Sequence, residues 1–244
     1  MLRDTVRRFV QKELLPWEEK VERWKNIPGE LRHSIIKKAI SAGIYAMRMP
    51  EEVGGGGVGL VGMSLVMEEL GQVCMPLDMI IAGPPPLLSE AKGKQVEQYL
   101  SPCMNGERET CYAITEPHTG SDVASLRTKA TRKGDGFLLN GTKHFITGRY
   151  ADFFIVLART GEGPGSRVFT NFLVDRDLPG VTASRTIDVM GQWGSRPIEI
   201  VMEDVLLSEE HVLGQVGQGF ISCLLYTSDA ADELDGVDLG GRRI

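Results

Sequence analysis

The chain has 244 residues, 42% of them hydrophobic and 25% charged, with a formal net charge of −6. That balance is ordinary for a globular protein, and without a dense Lys/Arg block it argues against nucleic acid as partner. Cys74, Cys103, Cys111 and Cys223 form no C-x-x-C pair, so neither a disulfide framework nor a zinc site is expected, and a reducing compartment fits.

The first hundred residues read as helices. Leu2, Val6, Phe9, Val10 and Leu14 recur at helical spacing, and Pro16 ends or kinks that segment. The basic, amphipathic start has no apolar signal core, and Glu13, Glu18 and Glu19 favour a folded helix over a transit peptide. Pro28 suits the first turn of a second helix, with Leu31, Ile35, Ile36, Ala39 and Ile40 as its stripe and Gly43 as its close. A glycine-rich loop follows from Glu51 to Gly59. Met63, Val66, Met67 and Leu70 then mark a third helix stopped by Gly71. The run Pro84-Pro85-Pro86 forbids regular helix, and a short helix from Val96 to Leu100 is expected to end at Pro102. No apolar run is long enough to span a bilayer.

Near Cys111 the period changes. Short β-branched and aromatic runs with turn residues between them cover Cys111–Thr115, Leu126–Arg132, Phe137–Leu139, Thr142–Thr147, Phe153–Ala158 and Val168–Val174. Ile198, Ile200 and Met202 alternate with polar or outward residues. Successive strands without helical patterns between them predict an antiparallel sandwich or barrel. The fold class is therefore α+β, with an all-α domain over residues 1–108, a β-barrel middle domain over 109–220 and a separate tail over 221–244.

Three motifs compete for chemical roles. Gly54, Gly56 and Gly59 satisfy G-x-G-x-x-G, but a dinucleotide site needs a preceding strand and a βαβ unit, and here a helix precedes. The run Tyr112-Ala113-Ile114-Thr115-Glu116-Pro117-His118-Thr119-Gly120-Ser121-Asp122 goes from strand to loop. It offers hydroxyls, apolar surface for a ring, and loop N–H groups that can nest a phosphate. Spacing alone favours a strand ending in an ordinary turn. In Lys143-His144-Phe145-Ile146-Thr147-Gly148, strand alternation puts Phe145 and Thr147 on one face, where they would stack on and hydrogen-bond a flavin. The alternative places Phe145 in a barrel core.

Together these segments resemble the acyl-CoA dehydrogenase family. Tyr112 to Asp122 is similar to its Thr-Glu…Gly-Ser-Asp signature, and Leu139 to Thr147 to its Asn-Gly-x-Lys strand. Met49-Pro50-Glu51-Glu52-Val53-Gly54-Gly55, Met202-Glu203-Asp204-Val205 and Leu213 to Phe220 match further landmarks. The resemblance spans roughly residues 1–220. It implies a helical N-terminal domain, a middle β-barrel and a C-terminal four-helix domain, with FAD as cofactor and an acyl-CoA as substrate, also met by Ser121. Tyr112, Ile114 and Thr115 would line the flavin ring, Gly120 and Ser121 its ribityl-phosphate side, Phe145 would pack on it, and Thr147 would bond near its N5. The implied reaction is α,β-dehydrogenation of the thioester to a 2,3-enoyl-CoA. An electron-transfer flavoprotein would be the acceptor, in a homo-oligomer of the bacterial cytoplasm or the mitochondrial matrix. An acyl-CoA oxidase, a flavin monooxygenase or a non-catalytic flavin- or CoA-binding module are the alternatives.

The resemblance fails after Phe220. The family's catalytic glutamate belongs to its C-terminal helices, so no catalytic residue is assigned here, and this chain is expected to show no turnover and weak or absent FAD retention. Ile221 to Ile244 reads as translated read-through, a frameshift or a disordered tail, and its Asp/Glu cluster lacks the spacing of a calcium loop. His118-Thr119 and Gly148-Arg149 also depart from the family pattern. None of His33, His118, His144 and His211 shows a partner in sequence, and Glu116 is not the family's base.

Overall fold

A computed structural model of the chain describes residues 1–163 and 165–222; the whole run Cys223–Ile244, with Cys223 and the acidic cluster, lies outside the described residues. Helix α1 (Leu2–Phe9) passes through one π turn (Val10–Leu14) into a 3-10 turn at Pro16 (Leu15–Trp17), which leads into α2 (Glu18–Trp24). Pro28 precedes α3 (Gly29–Ser41), whose Ile35, Ile36 and Ala39 are buried while Ile40 is exposed. Then come α4 (Leu60–Leu70) and α5 (Met75–Ala82). The helices share one core containing Val6, Val10, Leu14, Ile36, Val66, Leu77 and Ile81.

Two helical expectations need correcting. Helix α5 is additional, because its apolar run lacks the alternating polar face that marks an amphipathic helix. The segment expected to end at Pro102 instead continues into α6 (Ser101–Met104). The preceding turn Val96–Leu100 is of π type, and the Gln98 carbonyl that an N–H at position 102 would reach accepts from the Arg108 guanidinium at 2.9 Å instead.

The second half is one sheet: β1 (Thr110–Ala113), β2 (Lys129–Lys133), β3 (Gly136–Ile146), β4 (Phe153–Arg159), β5 (Phe169–Asp175), β6 (Val181–Thr186), β7 (Ile198–Ser208) and β8 (Val212–Leu213). The expected boundary at 108/109 falls in the connection between α6 and β1. Strand order is β6-β7-β3-β2-β4-β5-β8, with β1 beside β4. The expected barrel is not closed, since β6 and β8 stand at opposite ends and β8 is only two residues long. Nor is it wholly antiparallel: β1 runs parallel to β4, and β2 meets β4 through one parallel pair, Lys129 and Arg159. The sheet still coils until its inner faces meet, with Phe137, Phe154, Phe172, Ile200 and Met202 in one core.

Strand β4 is buried on both faces, which is why it reads as an unbroken apolar run, Phe153 to Ala158. Phe154 and Val156 face the inner core. Phe153 and Ile155 face outward onto Met49, Leu88, Tyr99 and Leu100, so helices and sheet share a third core. Among the described residues no helix is long and apolar enough to cross a membrane.

Candidate functional site

The Tyr112–Asp122 segment leaves β1 and meets β3 where β3 is irregular. Leu139 pairs with Val205 and Gly141 with Met202, so β7 carries one extra residue there, and Asp204 has φ +51°. Lys143 pairs with Ile200 and Ile146 with Ile198, so β3 carries the next extra residue, and Phe145 has φ +56°. These are two β-bulges of opposite sense. Asn140 and Asp204 bridge the first by exchanging hydrogen bonds of 3.1 and 2.9 Å.

The second bulge decides what faces where. Before it, Phe137, Leu139 and Lys143 point inward; after it, Ile146 does. Simple alternation would therefore have put Phe145 on the same face as buried Lys143. The left-handed residue reverses the parity instead, and Phe145 is 52% exposed, with Thr147 also exposed. This corrects the reason given from sequence for their common face, and it rules out Phe145 as a core residue. A bulky residue held left-handed costs about 1–3 kcal/mol.

Three bonds stitch the two motifs together at this bulge. The Lys143 ammonium donates to the Ile114 carbonyl at 2.8 Å and to Glu116 Oε1 at 2.9 Å, and the His144 N–H donates to the Thr115 carbonyl at 2.8 Å. Glu116 also accepts the N–H groups of Arg127 at 2.7 Å and Thr128 at 2.9 Å. Lys143 is fully buried and Glu116 nearly so. Burial pushes the Glu116 carboxyl up, but the Lys143 charge and the two N–H donors outweigh it and hold the carboxyl below its ordinary value. Burial pulls the Lys143 ammonium down to about 8 against the attraction of Glu116.

The predicted site residues are placed unevenly. Ile114 and Thr115 are tied by these bonds to Lys143 and His144, the two residues just before Phe145. Ile114 is half-buried against a cluster with Leu126, Leu157 and Phe169. Gly120 and Ser121 sit on an exposed turn, and a side chain at Gly120 would meet nothing within 4 Å. No bond joins that turn directly to Phe145 among the described residues. Thr119 is buried, and its hydroxyl serves the turn itself by bonding the Asp122 carbonyl, while His118 is exposed. The Tyr112 hydroxyl donates to Asn171 at 2.8 Å, and Asn171 in turn bonds the Gly219 carbonyl at 3.1 Å. The glycine-rich loop has no strand before it and runs into α4, so the dinucleotide reading falls.

Sequence reasoning missed a cavity of about 310 Å³ between helices and sheet. Met79, Ile80 and Pro84 to Pro86 line its helical side, Tyr112 and Thr147 its sheet side. The proline run supplied the only signal, since it forbids the helix that would otherwise fill the space. Gly83 at φ +72° lets the chain pass Ala46 there, where a Cβ would come within 2.8 Å of the Ala46 Cα. Arg32 borders the cavity, paired with Glu109 and stacked 3.7 Å over Tyr150, and burial pulls its guanidinium down to about 10. Among the described residues no three His, Cys, Asp or Glu side chains are placed to hold a metal ion.

Family models cover both halves. One described as the acyl-CoA dehydrogenase N-terminal domain matches residues 1–107, and one described as the middle domain matches residues 111–205. The chain belongs to the acyl-CoA dehydrogenase family. The acyl-CoA dehydrogenase of Bacillus subtilis (strain 168) is 33% identical over 226 residues, which is 90% of this chain and 59% of that protein. A crystal structure of acyl-CoA dehydrogenase from Geobacillus kaustophilus superposes with a TM-score of 0.78 at 29% identity, covering 91% of this chain and 60% of that one. An acyl-CoA dehydrogenase from Bacillus anthracis, solved in complex with FAD, gives a TM-score of 0.75 at 30% identity, covering 91% of this chain and 38% of that one. This family member thus spans about three-fifths of the length of the Bacillus subtilis and Geobacillus relatives.

Proposed function

We propose that this chain presents the flavin-binding face of an acyl-CoA oxidoreductase, with FAD lying over Phe145. The observation that carries the reading is the left-handed, half-exposed Phe145. Its backbone is strained and about half of its ring is left in water, with the neighbouring His144 ring packed edge-on at 4.5 Å and the outer face open. A flat aromatic ligand would cover that ring by stacking. The neighbouring groups suit the same ligand: Thr147 offers a hydroxyl, Ile114 apolar surface, Thr115 a hydroxyl, and the Gly120–Ser121 turn an open approach for a phosphate chain.

Bound there, FAD supplies a two-electron acceptor for the α,β-dehydrogenation of an acyl-CoA thioester. The cavity beside Thr147 would take the acyl group, and its size, near the lower end for small-molecule sites, suits a short one. Three acids near the site are already engaged: Glu116 by Lys143, Glu199 by His144, Glu109 by Arg32. By the family resemblance, the base for the α-proton would come from elsewhere in a whole family member, as would the homo-oligomeric surroundings and the docking of an electron-transfer flavoprotein.

Titrating the purified chain with FAD while following flavin fluorescence tests this. Saturable but weak binding is expected, roughly tenfold weaker in Phe145→Ala, with no acyl-CoA-dependent dye reduction. Absence of saturation, or an affinity indifferent to Phe145→Ala, would defeat the reading. Robust turnover by this chain would defeat the placement of the base.

A further inference from the structure

We propose that Lys143 is a positioning residue for the flavin face: bonded beneath the bulge to the Ile114 carbonyl and the Glu116 carboxylate, its ammonium holds Phe145 and Thr147 outward and clamps Ile114 and Thr115 beside them. The inference rests on the flavin reading above and adds a residue that does not itself touch the ligand.

Burial is the first argument. Lys143 is completely enclosed, on the inner face that also holds Phe137 and Leu139. A buried ion pair is weak evidence for a stabilising role, because apolar residues of similar volume often fill such a place as well or better. What an apolar residue cannot do is donate. Lys143 donates to two groups on the neighbouring segment, 27 and 29 residues away in sequence, and both bonds are short.

Those bonds fall at the bulge itself. Strand parity reverses at the residue pair directly after Lys143. Left-handed backbone at a phenylalanine persists only where its surroundings over-determine it. Here the Lys143 side chain and the His144 N–H tether the strand to Ile114, Thr115 and Glu116 from below. Glu116 is itself fixed by the N–H groups at the entry to β2. The tether thus runs from β2 through Glu116 and Lys143 to the bulge. Without it, the simplest relaxation is ordinary alternation, which would turn Phe145 inward on the same face as residue 143.

The test uses the 244-residue chain and FAD. Lys143→Met keeps the volume and removes the donors; Lys143→Met combined with Glu116→Gln also removes the stranded charge. Hydrogen exchange at residues 144–147 is read without flavin, and FAD affinity and the visible flavin band are read by titration. The double variant is expected to stay folded at a lowered midpoint, since a glutamine accepts only one of the two N–H bonds that Glu116 takes, to exchange the 144–147 amides at least tenfold faster, and to bind FAD at least tenfold more weakly with a shifted band. Lys143→Arg, which keeps a donor, is expected to recover part of the affinity. A double variant that folds like the parent with unchanged exchange and unchanged FAD affinity overturns the proposal. The exchange arm needs no flavin. If the parent chain fails to bind FAD, the cofactor reading falls, while the exchange contrast still decides whether Lys143 holds the bulge.

Discussion

Glu69 is an acid sealed between two arginines. It is 1% exposed and accepts from Arg3 at 2.8 Å, from Arg7 at 2.7 and 3.0 Å, and from Gln72 at 2.7 Å, so α1 and α4 are held together through one carboxylate. The bonds from Arg7 and then Arg3 lower its pKa to about 2. In the unfolded chain a glutamate titrates near about 4.3. The folded value is the depressed one, so the contribution is fully present above the unfolded value and is lost as pH falls from there towards about 2. Thermal unfolding of the parent and Glu69→Gln across that range should show the parent losing its advantage progressively on acidification. Equal slopes would mean the clamp does not act through the charge. None of this is legible in sequence, where Arg3 and Arg7 lie more than sixty residues from Glu69 with no shared pattern.

Among the elements, β3 carries the most information. Gly141, at φ +152°, lets β3 pass the residue that leads into β2, where a Cβ would lie 2.4 Å from Thr128 Oγ1 and 2.7 Å from its Cα. The obstruction is backbone as well as side chain, so Gly141→Ala should destabilise by about 1–3 kcal/mol, read as a lowered urea midpoint with little change in slope. A neutral result would mean the strands can part locally. Strands β3 and β4 show what a one-dimensional reading delivers. Phe137, Leu139 and the run Phe153 to Ala158 announce themselves by period and composition. Strands β6 and β8 do not: Val181–Thr186 mixes small and polar residues, and Val212–Leu213 is too short to show a period. Helix α5 hides because an apolar run has no face to compare. The two candidate motifs were visible as segments, and their meeting was not. It depends on a positive φ at a phenylalanine, which residue identity disfavours, and on a lysine placed where an apolar residue would be expected.

At the scale of the molecule, helices and sheet are not separate bodies. Phe153 is fully buried, its ring 4.7 Å from Tyr99 edge-on and covered by the Arg108 guanidinium at 4.8 Å, while Tyr99 bonds Asp175 at 2.7 Å and Arg108 pairs with the same acid. Phe153→Ala removes the centre of that shared core and should cost about 3–5 kcal/mol. The sharper expectation concerns cooperativity: hydrogen exchange in α1 and α4 should accelerate together with that in β4 and β5. Acceleration confined to the sheet would show that the helices stand alone. The paired bulges have a consequence of a different kind, one for heredity. The surplus residue near Phe145 and the surplus residue near Asp204 cancel, so the strands rejoin in step on either side. A one-codon deletion at either place would leave the neighbouring strand out of phase, whereas the same deletion at both would restore it. Two stretches of gene some sixty codons apart are therefore bound to gain or lose length together.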